Sequence, residues 1–245
     1  MRTAVKNLLA ILFWCAVWYV LALFVHNPLL LPTPLQVLIR LGELAVTADF
    51  WQTTLFSLGR ILLGIFIALV LSVLLAVLTC SVRWIDALIS PLMTAIQASP
   101  IASFSFLVLI WIDRAFVPVL ICILMVLPIV WSNVCTGIRG VDSQLLEMAQ
   151  AYRLPWGRKI RRIYIPSVMP HFRTGCSNAL GLGWKAGVAA EVLTVPKASI
   201  GKMIADAKLY LQVEDLFAWT LAVILLSLLL QKLMMLLLVR RDGHA

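Results

Sequence analysis

Two ionisable side chains, Lys185 and Glu191, lie at membrane depth in a glycine-rich stretch from His171 to Val195. A charge in the middle of a membrane span costs about 2.5 kcal/mol or more on insertion scales, so each needs a partner or water. They are poor partners for each other in one regular helix, because six residues at 100° each put them roughly 120° apart around the axis. The chemistry open to them is electrostatic: Lys185 can offer a cation to a passing anion, and Glu191 can gate a passage or bond a neighbouring span. The plainer alternative has Lys185 snorkelling or paired with a neighbouring span and Glu191 at the outer interface. Asn178 on the same stretch, and the polar run Gln97, Ala98, Ser99 before Pro100 on another, complete the candidate pathway residues. Proline at that depth bends or breaks a helix, and broken helices within a membrane often line a cavity.

A second concentration of polar groups runs from Glu147 to Pro166, with Arg153, Arg158, Lys159, Arg161 and Arg162 in a chain otherwise built of apolar segments. Asp142 and Ser143 can cap a helix that Leu145, Leu146, Met148, Ala149 and Tyr152 furnish with apolar faces, and Pro155 stops it. A basic helical run follows from Trp156 to Ile165, and Pro166 and Pro170 are expected to break the chain before the next apolar segment. The pattern predicts helix, turn, helix on one membrane face. Lys/Arg clusters beside spans also arise simply from contact with anionic lipid, and spacing rather than composition separates the two readings.

Enzymatic chemistry has no such foothold. Gly201, Lys202 and Met203 approach a phosphate-binding loop, but Pro stands at 196 where its first glycine belongs and no hydroxyl stands at 203. No cofactor is expected. The three histidines are far apart, and five scattered cysteines form neither a disulfide framework nor a metal set. No catalytic or metal-binding residues are assigned.

The Glu147 to Pro166 stretch resembles the cytoplasmic loop of the permease subunits of binding-protein-dependent ABC importers, whose motif reads E-A-A, three residues, G, nine residues, I-x-L-P. Glu147, Met148 and Ala149 match its start, and Ile163, Ile165 and Pro166 its end, at the family spacing. Arg153 stands where the family usually has glycine. A positive φ there costs Arg about 1 kcal/mol against Gly, so the bend is expected to be displaced toward Pro155 and Gly157. The resemblance implies that Glu147, Met148, Ala149, Tyr152, Arg153, Pro155, Gly157, Ile163 and Pro166 form a coupling helix and turn seated in a groove of an ATPase subunit, with Ala149 on the small apolar docking face. In weaker form it extends from about Pro32 to the C-terminus. Leu31, Pro32, Thr33 and Pro34, with Ser57, Leu58, Gly59 and Arg60, give it the flavour of the nitrate, sulfonate, taurine and bicarbonate permeases.

The elements that position these residues are apolar throughout: 62% of the 245 residues are hydrophobic and 13% charged, with a mean hydropathy of +1.01. That composition predicts an all-α integral membrane protein and excludes a soluble domain. The charge of +9 does not point to nucleic acid, because the basic residues follow membrane topology rather than interleaving with stacking aromatics. Uncharged runs predict six spans, at about 8–25, 61–82, 88–112, 115–138, 172–195 and 216–239, in one domain covering 1–245, with a cytoplasmic loop at 139–170. The segment 36–47 is too short to span and is expected to lie flat, 196–215 reads as a polar loop, and Gly59 and Gly64 are expected to allow close helix contacts. Gly183 and Gly187 read as a packing seam. With both termini inside, twelve of the twenty Lys and Arg fall on inner segments and six on outer ones, leaving Lys185 and Lys232 within spans. That asymmetry puts the Glu147 loop in the cytoplasm.

The resemblance thus implies the type I permease of an ABC importer in a bacterial inner membrane. Its partners would be an ATP-binding subunit, a periplasmic or lipid-anchored substrate-binding protein and a second permease copy, expected to be identical. The solute would be small and polar or anionic, such as a sulfonate, nitrate or bicarbonate, or else a vitamin or pyrimidine precursor. The competing reading is an ion-gradient-driven transporter, which the broken third span would serve equally well, although no inverted repeat is visible. A non-transporting scaffold is the third.

Overall fold

The computed structural model describes residues 2–27 and 30–239; Pro28 and the basic tail with Arg240, Arg241, Asp242 and His244 lie outside the described residues. Among the described residues there are helices and no strands. Helix α1 covers Arg2–Val25 and α2 covers Pro34–Val46. Thr33 and Gln36 form a reciprocal capping box at the start of α2, with Pro34 in the first turn where no amide is needed. Thr47 closes α2 by donating to the Leu44 carbonyl, 2.6 Å, and caps α3 (Ala48–Ser81) by accepting from the Phe50 amide. The short helix expected at 36–47 is therefore present, and it is tied down: Arg40 pairs with Glu43 at 2.8 Å and with Asp215 at the start of the last helix. Those two carboxylates, through their hydrogen bonds, raise the Arg40 pKa above its ordinary value.

Helix α3 begins well before the expected 61. A charge normally ends an apolar run, but Arg60 is neutralised by a partner on another helix, so the helix passes through it for 34 residues, about 51 Å at 1.5 Å each. Next come α4 (Arg83–Ala98) and α5 (Ile101–Val108), bent by 103° across Ser99 and Pro100, the break that the proline and its polar neighbours predict. Helix α6 covers Val117–Arg139, and Arg139 pairs with Asp86 of α4 at 2.9 Å.

The loop holds α7 (Ser143–Ala151), α8 (Trp156–Lys159) and a π turn at Ile160–Tyr164 that runs straight into α9 (Ile165–Thr194). Pro166 and Pro170 do not break the chain as expected. Pro166 falls in the first turn of α9, and the preceding turn has widened so that the Ile165 amide reaches the Ile160 carbonyl, five residues back. Pro170 is carried inside α9. The expected polar loop at 196–215 contains a further helix, α10 (Ile200–Leu209), capped by Ser199, before α11 (Val213–Val239).

Helices α3, α6 and α9 pack on one another to form the core, with α4 and α5 against α6, α10 against α9 and α11, and α2 against α11. Ile61, Ile65 and Ala68 meet Cys122, Val126 and Val130 there, alongside Ala179, Trp184 and Val188. The seam is set by glycine. A Cβ built at Gly187 would lie 2.7 Å from Cys122 Sγ and from Ile61 Cγ1, and one at Gly183 would lie 2.7 Å from Val126 Cγ2. Gly64 meets the Val119 carbonyl in the same way, whereas Gly59 faces open space and makes no close contact, contrary to expectation. All five cysteines are free.

Three helices are long and apolar enough to cross a membrane, Ala48–Ser81, Val117–Arg139 and the 213–233 part of α11, and a fourth if the bent α4 and α5 count as one. Of the other two expected spans, the apolar part of α1, Leu9–Val25, is shorter, and α9 has the length but not the apolarity.

Candidate functional site

The cytoplasmic-loop candidate is built on α7. Asp142 caps it, accepting from the Gln144 amide at 2.8 Å, and Glu147 stands exposed on its middle turn. Ala149 is fully buried and Ile163 nearly so. Ala149 therefore does not lie on an outward docking face. The outward apolar face is Leu145, Met148 and Tyr152, spaced three and four residues apart and 40%, 50% and 77% exposed.

Arg153 ends the helix in the left-handed conformation, φ 47°, so the bend is not displaced toward Pro155. Its amide donates to the Gln150 carbonyl at 2.9 Å and the Leu154 amide donates to the Ala149 carbonyl at 2.9 Å. That pair of bonds is the six-to-one, five-to-two closure that helices usually make with glycine at this position. The bonds to two otherwise orphaned carbonyls hold Arg in place against its local preference. Pro155 then starts α8, and Gly157 has no neighbour within 4 Å. Arg158, Arg161 and Arg162 are exposed, with Trp156 beside Tyr164.

On α9 the exposed residues His171, Thr174, Asn178, Leu182, Lys185 and Ala189 fall in a sector of about 80° at 100° per residue, a stripe of mixed polarity turned away from the core, with exposed Ser177 about 60° beyond its edge. Asn178 and Lys185 form no hydrogen bond or ion pair among the described residues, and neither does Gln97, exposed at the end of α4. Ser99 bonds back to the Ala95 carbonyl at 2.9 Å, and Pro100 is exposed at the break. Helix α5 beyond it packs on α9.

Glu191 lies on the other side of α9, with no exposed surface. Its Oε2 accepts from Ser57 Oγ at 2.7 Å and from the Gly201 amide at 3.3 Å, and its Oε1 pairs with Arg60 Nη1 at 3.3 Å. Ser57 Oγ also accepts from the Ile200 amide at 2.8 Å, while Arg60 Nη2 donates to the carbonyls of Lys197 (2.7 Å) and Ala198 (3.3 Å). Each partner of the carboxylate is thus itself bonded, which is what a buried charge requires. Sequence reasoning placed Ser57 and Arg60 in the chain's general likeness and gave them no role. The available signal was the pair of lone opposite charges, Arg60 and Glu191, each bordering an apolar run.

Among the described residues no group of His, Cys, Asp or Glu is placed to hold a metal ion. Residues 61–241 match the family described as binding-protein-dependent transport system inner membrane component. A Bacillus subtilis permease protein assigned to aliphatic sulfonate transport is 27% identical, over 83% of this chain and 74% of that protein. The Escherichia coli taurine transport system permease protein is 26% identical, over 87% and 80% respectively. A Synechococcus elongatus bicarbonate transport system permease protein is 27% identical, over 68% and 60%.

Proposed function

The chain belongs to the inner membrane components of binding-protein-dependent transport systems, a family of multi-pass permease subunits, and from that premise we propose that it is the permease of an ATP-driven importer for a small oxyanion. The observation that carries the coupling half of this reading is the outward apolar face of α7. Leu145, Met148 and Tyr152 enter a groove on the ATPase subunit. From Trp156 to Thr194 the path is helical without interruption, so displacement of the loop turns α9 directly.

Helix α9 then presents its stripe to the pathway. Two copies of the chain face each other across it, Lys185 supplies the cation that an anionic solute meets, and Asn178 and the broken end of α4 supply neutral polar contacts. Glu191 has no part in contacting solute. The three relatives named above carry sulfonate, taurine or bicarbonate by name, each with an oxyanion, which fits a pathway with an unpaired lysine. Six spans, α1, α3, α4 with α5, α6, α9 and α11, put both termini and α7 in the cytoplasm and α10 outside.

The deciding experiment is Met148→Asp in the chain co-expressed with its ATPase. The variant inserts normally, loses the ATPase on purification and takes up no solute. Full ATPase recovery would remove the α7 face from the docking surface.

A further inference from the structure

Helix α10 is held by an unusual lead-in. The loop from Val195 to Ser199 joins it to α9 and contains two residues in the left-handed region, Val195 at φ 49° and Ala198 at φ 47°; Leu211, just beyond α10, is a third at 56°. No glycine relieves any of them, and for β-branched Val195 the conformation is a true outlier. The cluster of Ser57, Arg60 and Glu191 grips this loop and the first turn of α10. Arg60 takes two of the loop's carbonyls, Ser57 the Ile200 amide and Glu191 the Gly201 amide. Gly201 lies so close to the Glu191 backbone that a Cβ there would overlap it. The far end of the helix carries Leu209, Tyr210 and Leu211, 73%, 69% and 75% exposed. A short helix is thus fastened at its base to two long helices, with unfavourable backbone on both sides. The Arg60 side chain remains 18% exposed although Glu191 is wholly enclosed.

We propose that Ser57, Arg60 and Glu191 are positioning residues that latch α10 down as a lid at the outer end of α3 and α9, and that solute passes only when this latch opens and re-forms. The inference rests on the topology given above, in which α10 lies outside. Strain at Ala198 favours movement, because breaking the Arg60 bond to its carbonyl frees it to relax to ordinary backbone, whereas Val195 is held by its own amide bond to the Glu191 carbonyl, 2.8 Å. Charge and shape do different work in the latch. Glu191→Gln keeps the shape and most of the hydrogen bonds but removes the attraction for Arg60.

The test uses the full permease and ATPase complex in cells, with Cys15→Ser as background and a membrane-impermeant maleimide as probe. Ala207, 3% exposed on the buried face of α10, becomes the reporter as Ala207→Cys, and exposed Lys197 the control as Lys197→Cys. Adding Arg60→Ala or Glu191→Gln to the reporter speeds labelling by about tenfold or more, as a shift from a mostly closed to a mostly open lid requires. In the same variants ATP hydrolysis continues while uptake is lost. Assembled complexes of either variant with unchanged reporter labelling overturn the latch, and so does failure of both variants to assemble, which would make the cluster a folding element. A control cysteine unreactive from outside would instead overturn the topology, a result legible without the reporter.

Discussion

Arg153 shows how a single residue can keep a shape its type disfavours. Replacing it with glycine removes about 1 kcal/mol of left-handed strain, so Arg153→Gly raises the hydrogen-exchange protection of α7 and leaves uptake unchanged. The opposite holds at the seam. Gly187→Val drives two methyl groups into Cys122 and Ile61, costs about 1–3 kcal/mol or more, and lowers the yield and melting temperature of purified protein. Lys185→Met, on the exposed stripe, leaves assembly and basal ATP hydrolysis intact and reduces uptake of an anion; Lys185→Arg retains part of it, and unchanged uptake would take Lys185 out of the pathway. These positions differ in how far sequence reveals them. The Gly183 and Gly187 spacing announces close packing, and the angle between Lys185 and Glu191 follows from helical geometry alone. The bond from Glu191 to Arg60 joins residues 131 apart, and no local pattern encodes it. Arg153 is illegible for another reason: its side chain argues against the backbone that the two carbonyl bonds impose.

At the scale of elements, the helices that sequence reveals well are those whose charges stop where the helix stops. Helix α6 matches its uncharged run within two residues at its start, and the break at Ser99 and Pro100 falls where proline and polar side chains coincide. Where a charge is paired or a proline is accommodated the rule fails, as with Arg60 inside α3 and Pro170 inside α9. Helix α10 escaped because 196–215 is polar enough to read as loop, although Ser199 and the spacing of Ile200, Met203, Ile204 and Ala207 carry a helical signal. Burial also changes what a mutation in α7 reports. Ala149→Arg forces a charge into a fully buried position and is expected to unfold the loop, with protease cleavage between α7 and α8, whereas Leu145→Asp leaves the loop protease-resistant and only weakens ATPase binding. Equal protease sensitivity of the two variants would mean that Ala149 has no packing role.

Over the whole molecule, apolarity and charge asymmetry make an all-helical membrane protein legible, while the number of crossings is not, since α9 is long but polar and α1 apolar but short. Labelling checks the arrangement: Ser143→Cys reacts only from the cytoplasm and Ala198→Cys only from outside. External reaction at Ser143 would invert the topology. The distance in sequence between Arg60 and its carboxylate also bears on synthesis. A ribosome adding roughly 5–20 residues per second makes Glu191 on the order of ten seconds after Arg60 has emerged. In the topology proposed above, α3 sits in the bilayer throughout that interval with an unneutralised guanidinium, held at the headgroups by its flexible stem. In that arrangement biogenesis passes through a half-made chain that carries an unpaired charge, until α9 arrives and encloses its partner carboxylate against it.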